Sequence, residues 1–186
     1  MTFTRNDRRL FERSEVVART VMSQQDFYQS HECTSNQRQL LETMVGAAIW
    51  YFPQSVEDLW TGSISRGALT AYAESSQPLT VKLTKDHHYP RKVAASELFA
   101  LDWSLIVNPA AEVLRRYLTS YGQFNYVLPE ENKRLVKYQK THSFVSPEHS
   151  YASAGIELIQ LSLPLLKEIQ SGDAQLAYLV LAGEVD

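Results

Sequence analysis

The fold class depends on one short alternating stretch, Leu79-Thr-Val-Lys-Leu-Thr84, in a chain whose other patterns are mostly helical. Apolar and polar residues alternate along it, and three of its six residues are β-branched, which is typical of a strand. The stretch Phe124-Asn-Tyr-Val-Leu128 has the same character and predicts a second strand. The sequence therefore predicts an α+β fold that is mostly helical and has two strands.

Helical spacing of apolar residues covers most of the remaining chain. The segments predicted to contain helices are 3–29, 40–52, 55–75, 93–102, 109–121, 129–140 and 147–186. Pro109 suits the first turn of its helix, and Gly122 suits its end. We expect three consecutive regions, 1–76, 77–146 and 147–186, that together form one compact unit.

Composition excludes several classes of protein. The 186 residues are 44% hydrophobic and 21% charged, which is typical of a globular protein rather than a disordered chain. The single cysteine, Cys33, excludes an internal disulfide framework and a four-cysteine zinc site. No apolar run reaches the roughly 20 residues of a membrane helix, and the first residues lack the apolar segment of a signal peptide. We therefore expect a cytoplasmic protein.

The segment richest in reactive groups follows the first predicted strand and reads Asp86-His-His-Tyr-Pro-Arg-Lys92. A carboxylate favours a hard divalent cation, and a neutral imidazole can take a proton from water near neutral pH. Where the chain leaves the strand and turns, Asp86 and a neighbouring histidine can face one site. An ordinary surface turn explains the same residues equally well.

A second set of polar residues accompanies the second predicted strand. Pro129-Glu-Glu-Asn132 opens the helix after that strand, and His142 follows Asn132 by ten residues. Together with Asp86-His-His-Tyr-Pro90 and Gln139-Lys-Thr-His142, this order resembles the HNH, or His-Me finger, endonucleases over about residues 79–145. The resemblance implies a ββα-metal core, two strands and a helix around one divalent metal ion, embedded in a helical domain.

The resemblance also implies a role for each residue. Asp86 and His142 would hold the metal, His87 would be the general base, and Asn132 would orient the catalytic loop. In a second register, His87 is the metal ligand and His88 is the base. The metal implied is one Mg²⁺ or Mn²⁺ ion, with Zn²⁺ as the alternative that imidazole ligands allow.

Charge is distributed unevenly along this chain of formal net charge −3. From residue 82 to residue 140 there are ten Lys and Arg against six Asp and Glu, so this segment carries +4 and the rest carries −7. A polyanion responds to the local field rather than to the total charge. Arg91 is placed to meet the scissile phosphate in the implied catalytic site. The predicted nucleic-acid contacts are Lys85, Lys92, Lys133, Arg134 and Lys137, with a solvated protein surface as the alternative.

These observations predict a metal-dependent endonuclease that hydrolyses phosphodiester bonds in DNA with a histidine as general base. RNA is a second substrate that the residues allow, and a homodimer is one arrangement. The alternative left open is a non-catalytic helical accessory or regulatory binding protein of phage or bacterial type.

Overall fold

The structure, a computed structural model, describes residues 5–53 and 55–185, and within these ranges the chain is mostly helical. The helices are α1 (Arg5–Gln29), α2 (Ser35–Trp50), α3 (Val56–Leu59), α4 (Arg66–Glu74), α5 (Arg91–Ala100), α6 (Pro109–Arg116), α7 (Pro129–Leu135), α8 (Pro147–Ser153), α9 (Leu163–Gln170) and α10 (Ala174–Ala182). A π-helical turn, Tyr117–Tyr121, follows α6 directly. None of the described helices combines the length and the apolar character needed to span a membrane.

The strands form a single mixed sheet in the order β2-β3-β1-β4. They are β1 (Trp60–Ser65), β2 (Thr84–His87), β3 (Phe124–Val127) and β4 (Leu158–Gln160). β3 pairs antiparallel with β2 and parallel with β1, and β1 pairs antiparallel with β4. The α+β, mostly helical fold class is therefore confirmed, and the sheet has two strands more than the sequence predicted.

The first predicted strand lies at the wrong residues. Pro78–Thr80 forms a 3₁₀ turn, and the strand that pairs with β3 is Thr84–His87. Of the apolar residues in the predicted stretch, Leu79 is 74% exposed, and Val81 and Leu83 are only half-buried. All four residues of β3 are buried. The position of the neighbouring strand is therefore set by its pairing with β3, and not by the alternation of apolar and polar residues in 79–84.

Two segments predicted to be helical contain helices, as expected, but each also contains a strand that the sequence did not predict. Residues 55–75 hold β1 between two helices, and residues 147–186 include β4. β1 lies inside the sheet, which buries even Ser63 and Ser65. At its end Ser65 becomes the N-cap of α4, because its Oγ accepts a hydrogen bond of 3.1 Å from the Ala68 amide. The polar residues of β1 are the reason that the sequence pattern did not indicate a buried strand here.

The helix predicted over 129–140 ends five residues early. α7 stops at Leu135, and residues 136–146 run in turns until α8 begins. The amides of Tyr138 and Gln139 both return to the Leu135 carbonyl, at 2.9 and 3.2 Å, which closes the end of the helix. His142 therefore lies in a turn rather than on the helix.

The chain divides into two compact units, and each takes two separate stretches of sequence. The first unit takes the described residues up to Leu59 together with Tyr89–Gln123, and the second takes Trp60–His88 together with the described residues from Phe124 onward. The two helices inserted between the predicted strands thus belong with the N-terminal helices.

In the first unit, α1 packs against α6 and α2 packs against α5. Gln25 of α1 donates from Nε2 to the carbonyls of Phe99 (2.9 Å) and Leu101 (2.6 Å), which supplies partners to carbonyls at the end of α5. Tyr28 stacks on Phe99 with 4.2 Å between ring centroids. The helices predicted over 93–102 and 109–121 are confirmed, with their ends shifted by a few residues.

Candidate functional site

Asp86 is a buried strand residue. It lies opposite Asn125 in the β2–β3 pair and is only 4% exposed. Its two carboxylate oxygens accept hydrogen bonds from Gln139 Nε2 at 3.2 and 3.1 Å, and one of them also accepts from the Tyr151 hydroxyl. The carboxylate therefore connects β2 to the segment after α7 and to α8.

Further hydrogen bonds surround this carboxylate in the sheet. Thr61 of β1 donates from its hydroxyl to Asn125 Oδ1, Asn125 lies opposite Asp86 in the β2–β3 pair, and Tyr151 donates to Asp86. We call these residues, with Gln139, the Asp86 network. Buried polar groups are stable when each has a partner, and this network provides one to every member.

Burial dominates the electrostatics of the network. Desolvation raises the pKa of Asp86 from 3.8 to about 6, and the hydrogen bonds from Tyr151 and Gln139 limit that rise. Burial and the neighbouring Asp86 carboxylate also raise the pKa of Tyr151. Asp86 therefore changes charge closer to neutrality than an ordinary aspartate does.

His87 and His88 have different surroundings from Asp86. His87 is the next residue of β2, so its side chain points to the opposite face of the strand, where its ring contacts Phe124 edge-on at 6.2 Å between centroids. Burial lowers the pKa of His88, and the nearby Glu148 carboxylate opposes this. His88 is therefore neutral at pH 7, the form that a general base requires.

The predicted metal ligands do not form a metal-holding group in this structure. Within residues 5–53 and 55–185, no three or more His, Cys, Asp or Glu side chains are grouped so that they could hold a metal ion. Asp86 is occupied by Gln139 and Tyr151, and His142 is exposed in the turns after α7. The donor set around Asp86 does not fit a bound divalent ion, so the metal remains a prediction.

The remaining predicted catalytic residues belong to different units. Asn132 is half-buried in α7 of the second unit, whereas Arg91 starts α5 of the first unit. The Arg91 guanidinium lies over the Trp50 ring, 4.9 Å from its centroid. Lys92 also belongs to the first unit, and Lys85 of β2 places its ammonium 4.8 Å from the centre of the Phe124 ring.

Four cations of the second unit line one cavity of about 320 Å³, which we call the basic cavity. Its lining residues are Lys133, Arg134, Val136, Lys137, Tyr138, Lys140, Ser153 and Ala154. Three of the five predicted nucleic-acid contacts, Lys133, Arg134 and Lys137, are thus brought together. The cavity forms because α7 ends at Leu135, and the turns that follow lie beside the end of α8.

The sequence did not indicate the residues that surround Asp86 or the uncharged residues that line the basic cavity. Asn125, Gln139 and Tyr151 are 39 to 65 residues from Asp86 in the chain, so no local pattern connects them to it. One signal was present: Asn125 interrupts an otherwise apolar strand, and a polar residue buried in a strand requires a hydrogen-bond partner. Tyr138 and Val136 of the basic cavity carried no comparable signal.

Comparisons of the chain with protein-family models, with curated proteins and with solved structures found no match.

Proposed function

We propose that this chain binds nucleic acid, DNA in the first instance, through the basic cavity. The observation that carries the proposal is the convergence of Lys133, Arg134, Lys137 and Lys140 on one concave surface. Converging cations bind phosphates and release the counterions condensed around them. The proposal includes a cytoplasmic location, where such a partner is accessible.

The state of these cations supports the proposal. Among the described residues, no carboxylate forms an ion pair with Lys133, Lys137 or Lys140. Arg134 has only a distant contact, 3.9 Å, with Glu131. A phosphate can therefore approach the cavity without displacing strong internal ion pairs. The positive charge of these side chains attracts an anionic ligand locally, although the net charge of the chain is −3.

Fluorescence anisotropy with labelled DNA tests the proposal. Lys133→Ala/Lys137→Ala should weaken binding about tenfold or more, because two phosphate contacts are lost. The matched control is Lys82→Ala/Lys167→Ala, which removes the same charge from the second unit outside the cavity. An equal loss in both double variants would show that total charge, and not the cavity, attracts DNA.

Phosphodiester hydrolysis is a second candidate, which one observation favours. β2 and β3 form an antiparallel pair, and α7 follows β3 after one residue, which is the strand–strand–helix order that the HNH resemblance implies. His87, at the end of β2, is the candidate general base, and His88 is the alternative. Asp86 is already hydrogen-bonded to Gln139 and Tyr151, so the proposal assigns it no metal.

A plasmid-nicking assay in Mg²⁺ or Mn²⁺ tests hydrolysis. Parent, His87→Ala and His88→Ala are compared with His31→Ala, a histidine of the first unit. Nicking that disappears in one of the first two variants and persists in the control supports catalysis by that histidine. A parent that binds DNA without nicking it supports the non-catalytic binding protein instead.

A further inference from the structure

The basic cavity is concave, and this shape bears on the form of its ligand. Proteins that read duplex DNA in the major groove insert a projecting helix or a two-stranded ribbon into it. Here the cations surround a cavity of about 320 Å³, at the lower end of the roughly 300–1,000 Å³ typical of small-molecule sites. A cavity of that size suits one nucleotide, whereas a paired base inside a duplex is not accessible to it.

The lining of the cavity matches both parts of a nucleotide. Tyr138 and Val136 provide aromatic and apolar surface among the cations, and Val136 is 55% exposed. Bases stack on aromatic side chains regardless of sequence, while cations track the phosphates. In the free chain the Lys137 ammonium lies 4.6 Å from the centre of the Tyr138 ring, so an ammonium already occupies the surface where a base would stack.

We infer that the basic cavity takes one unpaired base together with its flanking phosphates, so that the chain binds single-stranded nucleic acid in preference to duplex. This inference rests on the proposed function. The base replaces Lys137 on the Tyr138 ring, and the released ammonium pairs with a phosphate. The four cations extend from α7 into the turns that follow it, and one phosphate does not require so many. Their number favours a nucleic-acid strand over a free mononucleotide as the ligand.

The test compares labelled oligo(dT), its duplex with oligo(dA), and unlabelled dTMP as competitor, by fluorescence anisotropy at one salt concentration. We expect the single strand to bind about tenfold more tightly than the duplex, because only an unpaired base can stack on the Tyr138 ring. dTMP should compete only at far higher concentrations. Equal affinity for strand and duplex, or equal competition by dTMP, overturns the inference.

Variants at Tyr138 separate stacking from general attraction. Tyr138→Ala should weaken binding of the single strand about tenfold and binding of the duplex clearly less, whereas Tyr138→Phe should retain parental affinity because the ring is kept. The control is Tyr178→Ala, an exposed tyrosine on α10 of the same unit. Thermal unfolding of each variant identifies any loss due to misfolding.

The outcomes distinguish this inference from the proposal beneath it. If strand and duplex both bind and Tyr138→Ala changes neither, the inference is wrong while nucleic-acid binding stands. If neither form of DNA binds the parent, the proposed function is wrong and the inference is lost with it.

Discussion

At the scale of single residues, the position of Asp86 within β2 decides its chemistry. A loop position after the strand would expose the carboxylate to a ligand, whereas its place in β2 turns it into the interior beside Asn125. Because His87 also lies in β2, the side chains of Asp86 and His87 point to opposite faces of the strand. The ionisation of Asp86 therefore affects the free energy of unfolding, which can be measured as a function of pH.

Stability should fall as Asp86 ionises. Because its pKa is raised from 3.8 to about 6 in the native state, the folded chain binds this proton more tightly than the unfolded chain does. The free energy of unfolding should then decrease as the pH rises from about 4 to about 6, by up to roughly 3 kcal/mol from this group. Urea unfolding across that range measures the loss.

Asp86→Asn removes the titrating group and should flatten this dependence. The control is Asp173→Asn, since Asp173 caps α10 through Leu176 N and asparagine caps equally well. A parental pH dependence in Asp86→Asn would assign the titration to another group.

The hydroxyl of Tyr151 should stabilise the ionised form of Asp86. Tyr151→Phe removes the hydrogen bond to the carboxylate and keeps the ring, so we expect a loss of about 1–3 kcal/mol at pH 7. The loss should be smaller near pH 4, where Asp86 is protonated. Tyr178→Phe, at an exposed tyrosine, serves as the control, and a loss independent of pH would contradict this role.

At the scale of elements, the junction from β1 to α4 is closed by a buried carboxylate. Glu131 of α7 accepts hydrogen bonds from Ser65 Oγ at 2.5 Å and from the Leu128 amide at 2.9 Å. Gly67 lies against the same carboxylate, and a Cβ there would be 2.5 Å from Glu131 Oε1. A side chain at this position in the first turn of α4 would have to displace the buried Glu131 carboxylate.

Gly67→Ala should destabilise the chain by about 1–3 kcal/mol, because Glu131 must move and loses hydrogen bonds that it makes while buried. In a Glu131→Ala background, the same change should cost little or stabilise, since alanine favours a helix by about 1 kcal/mol over glycine. Chemical denaturation of the four proteins gives the coupling energy. Additive effects would contradict the contact.

The elements that were predictable are those whose local pattern agrees with their packing. α5 and β3 lie close to their predicted positions, because the apolar residues that predicted them are buried in the structure. These are Ala94, Leu98 and Phe99 in α5 and the run that begins at Phe124 in β3. β1 was missed because its serines are buried by neighbouring strands. α7 was extended too far because the turns after it are as polar as an exposed helix. The Asp86 network depended on contacts that no local pattern contains.

At the scale of the whole molecule, charge separation has a measurable consequence. The net charge is −3, yet four cations meet in the basic cavity. For four phosphate contacts, the logarithm of the binding constant should fall with the logarithm of the salt concentration with a slope of roughly −3. Salt titration of binding measures it, and Lys133→Ala/Lys137→Ala should halve the slope. An unchanged slope would place the phosphates elsewhere.

The division into two units also affects how the chain can be made and cut. Residues 79–145 contain the helices inserted from the first unit but lack β1 and β4 of the second, so a fragment with these bounds contains neither unit complete. During synthesis, the N-terminal helices must wait for the segment that ends at Gln123 before they can pack fully. β2 must likewise wait for β3 to emerge. The first unit therefore cannot be completed before Gln123 is translated, and Trp60–His88 must wait longer, for the segment from Phe124 onward, to complete the second.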